Sequence, residues 1–182
     1  MRSSTIITAA LAALATAAPN KWIHVSDVEA DDSAYDCLCE DEAWDIARRW
    51  LAIFDQEGLE GGKDELATIV AEDLASYDET FGEPTLTLDE LWTAIQPYAN
   101  PTIEDVVYDV NFLLHTCDQI ALNWRYAAVT TEYNSTVPKG TPVELTGTDI
   151  LRIDLDDRLI TNATSNGDWI LQSRLLGNVA PL

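Results

Sequence analysis

Between residues 113 and 126 the chain reads LLHTCDQIALNWRY, which sets His115, Cys117, Asp118, Asn123 and Arg125 among residues that otherwise suit a buried sheet. His115 is the natural acid or base near neutral pH, or else a strand-end residue exposed at a turn. Arg125 lies mid-strand between Trp124 and Tyr126, so its guanidinium must face solvent or be paired. Alternation places Asn123, Arg125, Ala127 and Val129 on one face. Asp149, in the middle of the next predicted strand, is then a candidate to lie across from Arg125, as a working pair or as an ion pair that only holds register. Further back, SYDETF carries Tyr77 and Asp78. A carboxylate at an apolar mouth has its pKa raised toward neutrality, which suits proton transfer from carbon, and a neighbouring phenol can donate to a developing enolate. The alternative is a solvated acidic turn, since the chain holds 32 acidic and 10 basic residues.

That charge repels phosphates and anionic lipids, which argues against nucleic-acid and membrane partners. Three cysteines allow at most one internal bridge. A bridge from the amino-terminal segment to Cys117 closes a loop of roughly 80 residues, for which the chain-entropy relation gives about 4 kcal/mol. Only His24 and His115 are available to complete a zinc set, so no metal is expected.

The candidate side chains need elements to hold them, and 182 residues suit one domain. Residues 1–17 read as a cleavable signal peptide, with an apolar run from Ile6 to Ala15 and small residues at Ala15 and Ala17. This implies a secreted protein. The sequons at Asn134 and Asn162 agree with that compartment, whereas Asn100 is blocked by Pro101. Residues 18–36 form a loosely held acidic arm, and 37–182 the domain. Ala43, Ile46, Ala47, Trp50, Leu51 and Phe54 mark one face of a long helix. A second helix is expected from about Asp64 to Leu74. A third starts at Thr87, whose hydroxyl makes a capping box with Glu90, and runs to the region of Tyr98. From Ile103 the chain alternates as strands, with Val106, Tyr108, Val110, Phe112 and Leu114 on one face. Helices followed by an antiparallel meander predict an α+β fold. Apolar residues on both strand faces are compatible with helices on one side and a second copy of the chain on the other.

The runs CLCEDEA (37–43), HTCDQIALNWRY (115–126), TGTDILRIDLDDRLI (146–160) and GDWILQSRLLG (167–177), in this order, resemble the secreted nuclear transport factor 2-like proteins of filamentous fungi. Their superfamily includes ketosteroid isomerase, scytalone dehydratase, limonene epoxide hydrolase and SnoaL-like polyketide cyclases. The resemblance implies a cone in which three amino-terminal helices pack inside a strongly curved antiparallel sheet around an apolar pocket. It implies a Cys37–Cys117 disulfide, with Cys39 at a helix-capping position; a Cys39–Cys117 bridge is the alternative. It also implies a cofactor-free cyclase, isomerase, dehydratase or epoxide hydrolase acting on a polyketide or terpenoid, with Asp78, Arg125, Asp149, Tyr77 and His115 as catalytic candidates. Asp78 would be the isomerase-type base, and Arg125 with Asp149 the epoxide hydrolase-type pair that activates water. Many relatives carry an acid near the end of the last strand where this chain has Ser165, which removes one carboxylate from the expected pocket. The other reading is a non-catalytic secreted protein with the same cone, which binds a small apolar organic ligand or serves as an interaction protein.

Overall fold

The computed structural model describes residues 37–78 and 82–178. The expected signal peptide and acidic arm lie outside the described residues. The chain forms α1 (Glu40–Ala52), α2 (Gly62–Leu66), β1 (Val70–Asp78), α3 (Leu88–Ala94), β2 (Ile103–His115), β3 (Gln119–Thr130), β4 (Pro142–Ile153), β5 (Ile160–Gly167) and α4 (Trp169–Leu175). The strands make one curved, unclosed sheet in the order β1-β5-β4-β3-β2. This is the expected α+β class.

Alternation does most of the work in the sheet. Val143, Leu145, Gly147, Asp149, Leu151 and Ile153 of β4 are buried, while every residue between them is exposed. The inward residues of β3, Ile120, Leu122, Trp124 and Tyr126, continue that surface. Against it lies α1, which buries Ala43, Ile46, Ala47, Trp50 and Leu51, the face its 3.6-residue period requires. Glu40, Asp41 and Glu42 occupy its first turn, where the helix dipole favours negative charge. Cys37 is bonded to Cys117, which ties the start of α1 to the β2–β3 turn, and Leu38 N–H donates to the Cys117 carbonyl at 3.0 Å. Cys39 is a free, exposed thiol at the N-cap of α1 and makes no side-chain capping bond.

Four elements depart from expectation. The second helix stops at Leu66, and the residues expected to continue it enter β1, which pairs with β5 in parallel. The sheet is therefore mixed rather than wholly antiparallel. Thr68, Ile69 and Val70 are β-branched, and pairing with β5 prevails over a helical spacing of Leu66, Ile69, Val70 and Leu74. The Thr87 hydroxyl caps α3 by accepting from Glu90 N–H at 3.1 Å, but this helix ends at Ala94. In β2 the register slips between Val110 and Phe112, so Val110 faces Trp124 while Phe112 faces Asn123. Such a bulge reverses which side successive residues face: Tyr108 and Val110 point inward with Leu113, whereas Phe112 and Leu114 are exposed on the outer face. Finally, α4 was not anticipated as a helix. Asp168 caps it by accepting from Leu171 N–H at 2.9 Å, and Gly177, at φ +74, follows its end.

Candidate functional site

Asp149 is the most unusual side chain of the inner face, a carboxylate 3% exposed. Trp50 Nε1 of α1 donates to its Oδ2 at 2.7 Å, and Trp124 Nε1 of β3 donates to its Oδ1 at 2.8 Å. Burial pushes its pKa up, the indoles and the Ser165 hydroxyl oppose that rise, and the nearby charge of Asp78 adds to it. Two glycines make room for this arrangement. A Cβ on Gly147 would collide with the Trp124 ring, and one on Gly167 would stand 2.7 Å from Trp169 and 3.0 Å from Trp124. Ser165 pairs with Asp149 on one side and with Asp78 on the other, so the three lie in one row across β4, β5 and β1. Asp78 Oδ2 accepts from Trp169 Nε1 at 3.2 Å.

In front of this cluster opens a cavity of about 630 Å³, within the range of small-molecule sites. Phe54, Leu59, Trp92, Ile95 and Ile103 give it apolar walls, and Tyr108, Tyr126 and Trp169 also line it. Tyr108 joins the cavity to the carboxylates. Its ring packs edge-on against Trp124 at 5.4 Å and Tyr126 at 5.1 Å. Burial raises its pKa, and Tyr126, Asp149, Asp55 and Asp78 raise it further, so the phenol stays protonated and remains a donor. Asp55, past the end of α1, accepts from Tyr108 N–H at 2.9 Å. Burial lifts its pKa, the Tyr108 N–H offsets part of that, and Asp109 and Glu57 raise it again.

The expected site residues divide between the two faces of the sheet. Asp149 and Asp78 come together on the inner side. Arg125 does not meet Asp149: it points outward, its guanidinium half-exposed, and pairs with Glu144 at 2.9 Å, because positions 125 and 149 fall on opposite sides of the alternation. The pair expected to activate water is therefore not formed. Tyr77 neighbours Asp78 along β1 but is turned to the outer side and 39% exposed. His115 ends β2 as an exposed residue, with Nδ1 3.2 Å from the Thr116 carbonyl oxygen, and does not line the cavity. Sequence reasoning missed Tyr108, Tyr126 and the indole donors. Their signal was the Trp50, Trp124 and Tyr126 spacing on inward positions beside glycine in β4. Among the described residues no three His, Cys, Asp or Glu side chains gather as a metal site.

No protein-family model matches the chain, and no curated protein matches it. Solved structures do. TsrD from Streptomyces laurentii superposes with a TM-score of 0.60 at 17% identity, covering 78% of this chain and 99% of that one. A candidate SnoaL-like polyketide cyclase from Shewanella denitrificans OS-217 gives 0.60 at 14% identity, covering 75% and 98%. A protein of ketosteroid isomerase-like fold from Catenulispora acidiphila DSM 44928, in complex with trimethylamine, gives 0.56 at 16% identity, covering 75% and 97%. The chain has the SnoaL-like fold. Within this fold the cavity meets the Asp149 cluster only through Tyr108 and Trp169, which line it, while Asp149 itself lies behind them.

Proposed function

We propose that the protein is a cofactor-free tailoring enzyme acting on an apolar polyketide or terpenoid, of cyclase, isomerase or dehydratase type. The observation that carries this reading is a protonatable carboxylate, Asp149, held behind a phenolic donor, Tyr108, at the wall of an apolar cavity. Such a set can move a proton α to a carbonyl. Asp78 or Asp149 takes the proton from carbon, the electron pair passes to the carbonyl oxygen, and the Tyr108 hydroxyl donates to that oxygen as its charge grows. The apolar walls supply orientation and exclude water. Epoxide opening has less support, because Arg125 is on the other face. A candidate polyketide cyclase among the structural neighbours supports the same class.

The second reading, a binding protein, is favoured by a specific observation. Both oxygens of Asp149 already accept indole N–H groups, and neither Asp149 nor Asp78 lines the cavity. Incubating the protein in D₂O with an enolisable bicyclic ketone such as 2-tetralone separates the two. The enzyme reading expects exchange of the α-protons above the buffer rate, reduced about 100-fold or more in Asp149→Asn and Asp78→Asn. Exchange at the buffer rate with the ketone bound supports the binding reading.

The Cys37–Cys117 bond supports a secreted protein. Asn134 is exposed in a turn, and the glycosylation proposed for it and for Asn162 belongs with that compartment. No helix among the described residues is long and apolar enough to cross a membrane. We also propose that the exposed apolar residues of the outer sheet face pair two copies of the chain.

A further inference from the structure

Tyr126 sits mid-way along β3 with its side chain turned inward, is 2% exposed, and lines the cavity. Its ring is fully used, packed edge-on against Tyr108 at 5.1 Å between centroids. Its hydroxyl is not: the oxygen is buried, and no group among the described residues stands in hydrogen-bonding geometry to it. A buried hydroxyl without a partner is costly, and native interiors seldom leave one in that state without a reason. A phenylalanine would fill the same space at no such cost. Gln172, from α4, shares the cavity wall and is near enough to ease a negative charge on the Tyr126 oxygen, although burial pushes that phenol up to about 12. The two polar groups come from different elements and converge on a surface otherwise made of Trp92, Ile95, Ile103 and Trp169.

We propose that the Tyr126 hydroxyl, with Gln172 beside it, is the specificity-determining contact of the cavity and hydrogen-bonds a carbonyl or hydroxyl oxygen of the ligand. The inference rests on the proposed small-molecule reading and narrows its substrate class to apolar compounds bearing a carbonyl or hydroxyl oxygen. It assigns Tyr126 to recognition and leaves proton transfer to Tyr108 and the carboxylates. A hydrocarbon of the same shape would fill the walls and leave the hydroxyl unpaired, so selection comes from the penalty on the wrong ligand as much as from the bond to the right one.

Fluorene and 9-fluorenone test this by equilibrium dialysis. They share a shape and differ by one carbonyl, and neither ketone carbon neighbour carries an exchangeable proton, so binding is read apart from turnover. Tyr126→Phe is expected to weaken 9-fluorenone about five- to tenfold, the loss of one hydrogen bond, while fluorene stays within about twofold. Without ligand, Tyr126→Phe is expected to melt no lower than wild type, since it removes an unpaired group. The inference is overturned if the substitution affects both compounds equally or neither, which is the result expected if the hydroxyl meets only water. It is also overturned if Tyr126→Phe melts at lower temperature, because the hydroxyl then has an internal partner. Should the wild type bind neither compound, the small-molecule reading of the cavity fails with it; should it bind both alike, the cavity stands and only the role of Tyr126 is lost.

Discussion

Two indoles hold Asp149 in place, and the consequences divide by pH. Burial makes this carboxyl keep its proton more tightly in the folded chain than at the ordinary value of 3.8 in the unfolded one. The folded state then binds more protons between the two values, so the contribution of Asp149 to stability is complete below 3.8 and is lost as pH rises through the raised folded value. Urea unfolding from about pH 4 to about pH 8 should show stability falling more steeply in wild type than in Asp149→Asn. Equal slopes would mean that Asp149 titrates alike in both states. The same variant places an amide nitrogen against one indole donor, and the stranded N–H should cost about 1–3 kcal/mol at low pH. Gly147 is coupled to this site through shape alone. A methyl group there drives Trp124 off its seat, so Gly147→Ala should lose about 1–3 kcal/mol and alter the near-ultraviolet circular dichroism of the tryptophans. Unchanged spectra would show that the ring does not rest on the bare backbone.

At the scale of elements, the disulfide joins two segments separated by 80 positions, and replacing both Cys37 and Cys117 by Ala should lower unfolding free energy by about 4 kcal/mol, while Cys39→Ser should leave it unchanged. A loss confined to Cys39→Ser would assign the bridge wrongly. The strong periods were readable in the sequence: α1 repeats its apolar face over three turns, and β4 alternates without a break, so both elements and their buried sides follow from residue type. What could not be read is where a period changes meaning. The bulge at Val110 and Phe112 turns Phe112 and Leu114 outward through one extra residue, and no local residue type announces it. The segment after Leu66 fits a helix on spacing, and only the distant β5 makes it a strand. The site suffered from the same limit. Asp149 was visible as a polar residue in a core strand, but its partners Trp50 and Trp124 lie 99 and 25 positions away, and their contact depends on the inner face being shared with α1. Arg125 was matched to Asp149 for want of the register that opposes it to Thr146.

For the molecule as a whole, the outer sheet face sets apolarity against charge. Tyr77, Thr164, Ile150, Ala121 and Leu114 form one register row across all five strands, and Leu114 is 70% exposed, with Phe112 beside it at 56%. Scattered apolar residues need no explanation, but a row that runs from edge to edge is a surface that a two-fold axis can match to itself. The cations on this face are already taken: Arg125 is paired with Glu144, and Arg152 with Asp118. Two copies pairing through this face would have no spare positive charge there among the described residues, while each carries a formal net charge of −22. Their repulsion is screened by salt, whereas the apolar contact is not. Sedimentation should accordingly show a larger dimer fraction in about 0.5 M salt than in about 0.05 M, and Leu114→Lys with Ile150→Lys should give monomers in both. A wild type that stays monomeric at high salt would remove the dimer proposed for this face. Asn162 adds an internal control, because it lies on the same side in register with Arg152, next to Ile150 along the ladder. A glycan there would stand in the contact, so the glycosylated chain should be monomeric under the salt conditions in which the unmodified chain pairs.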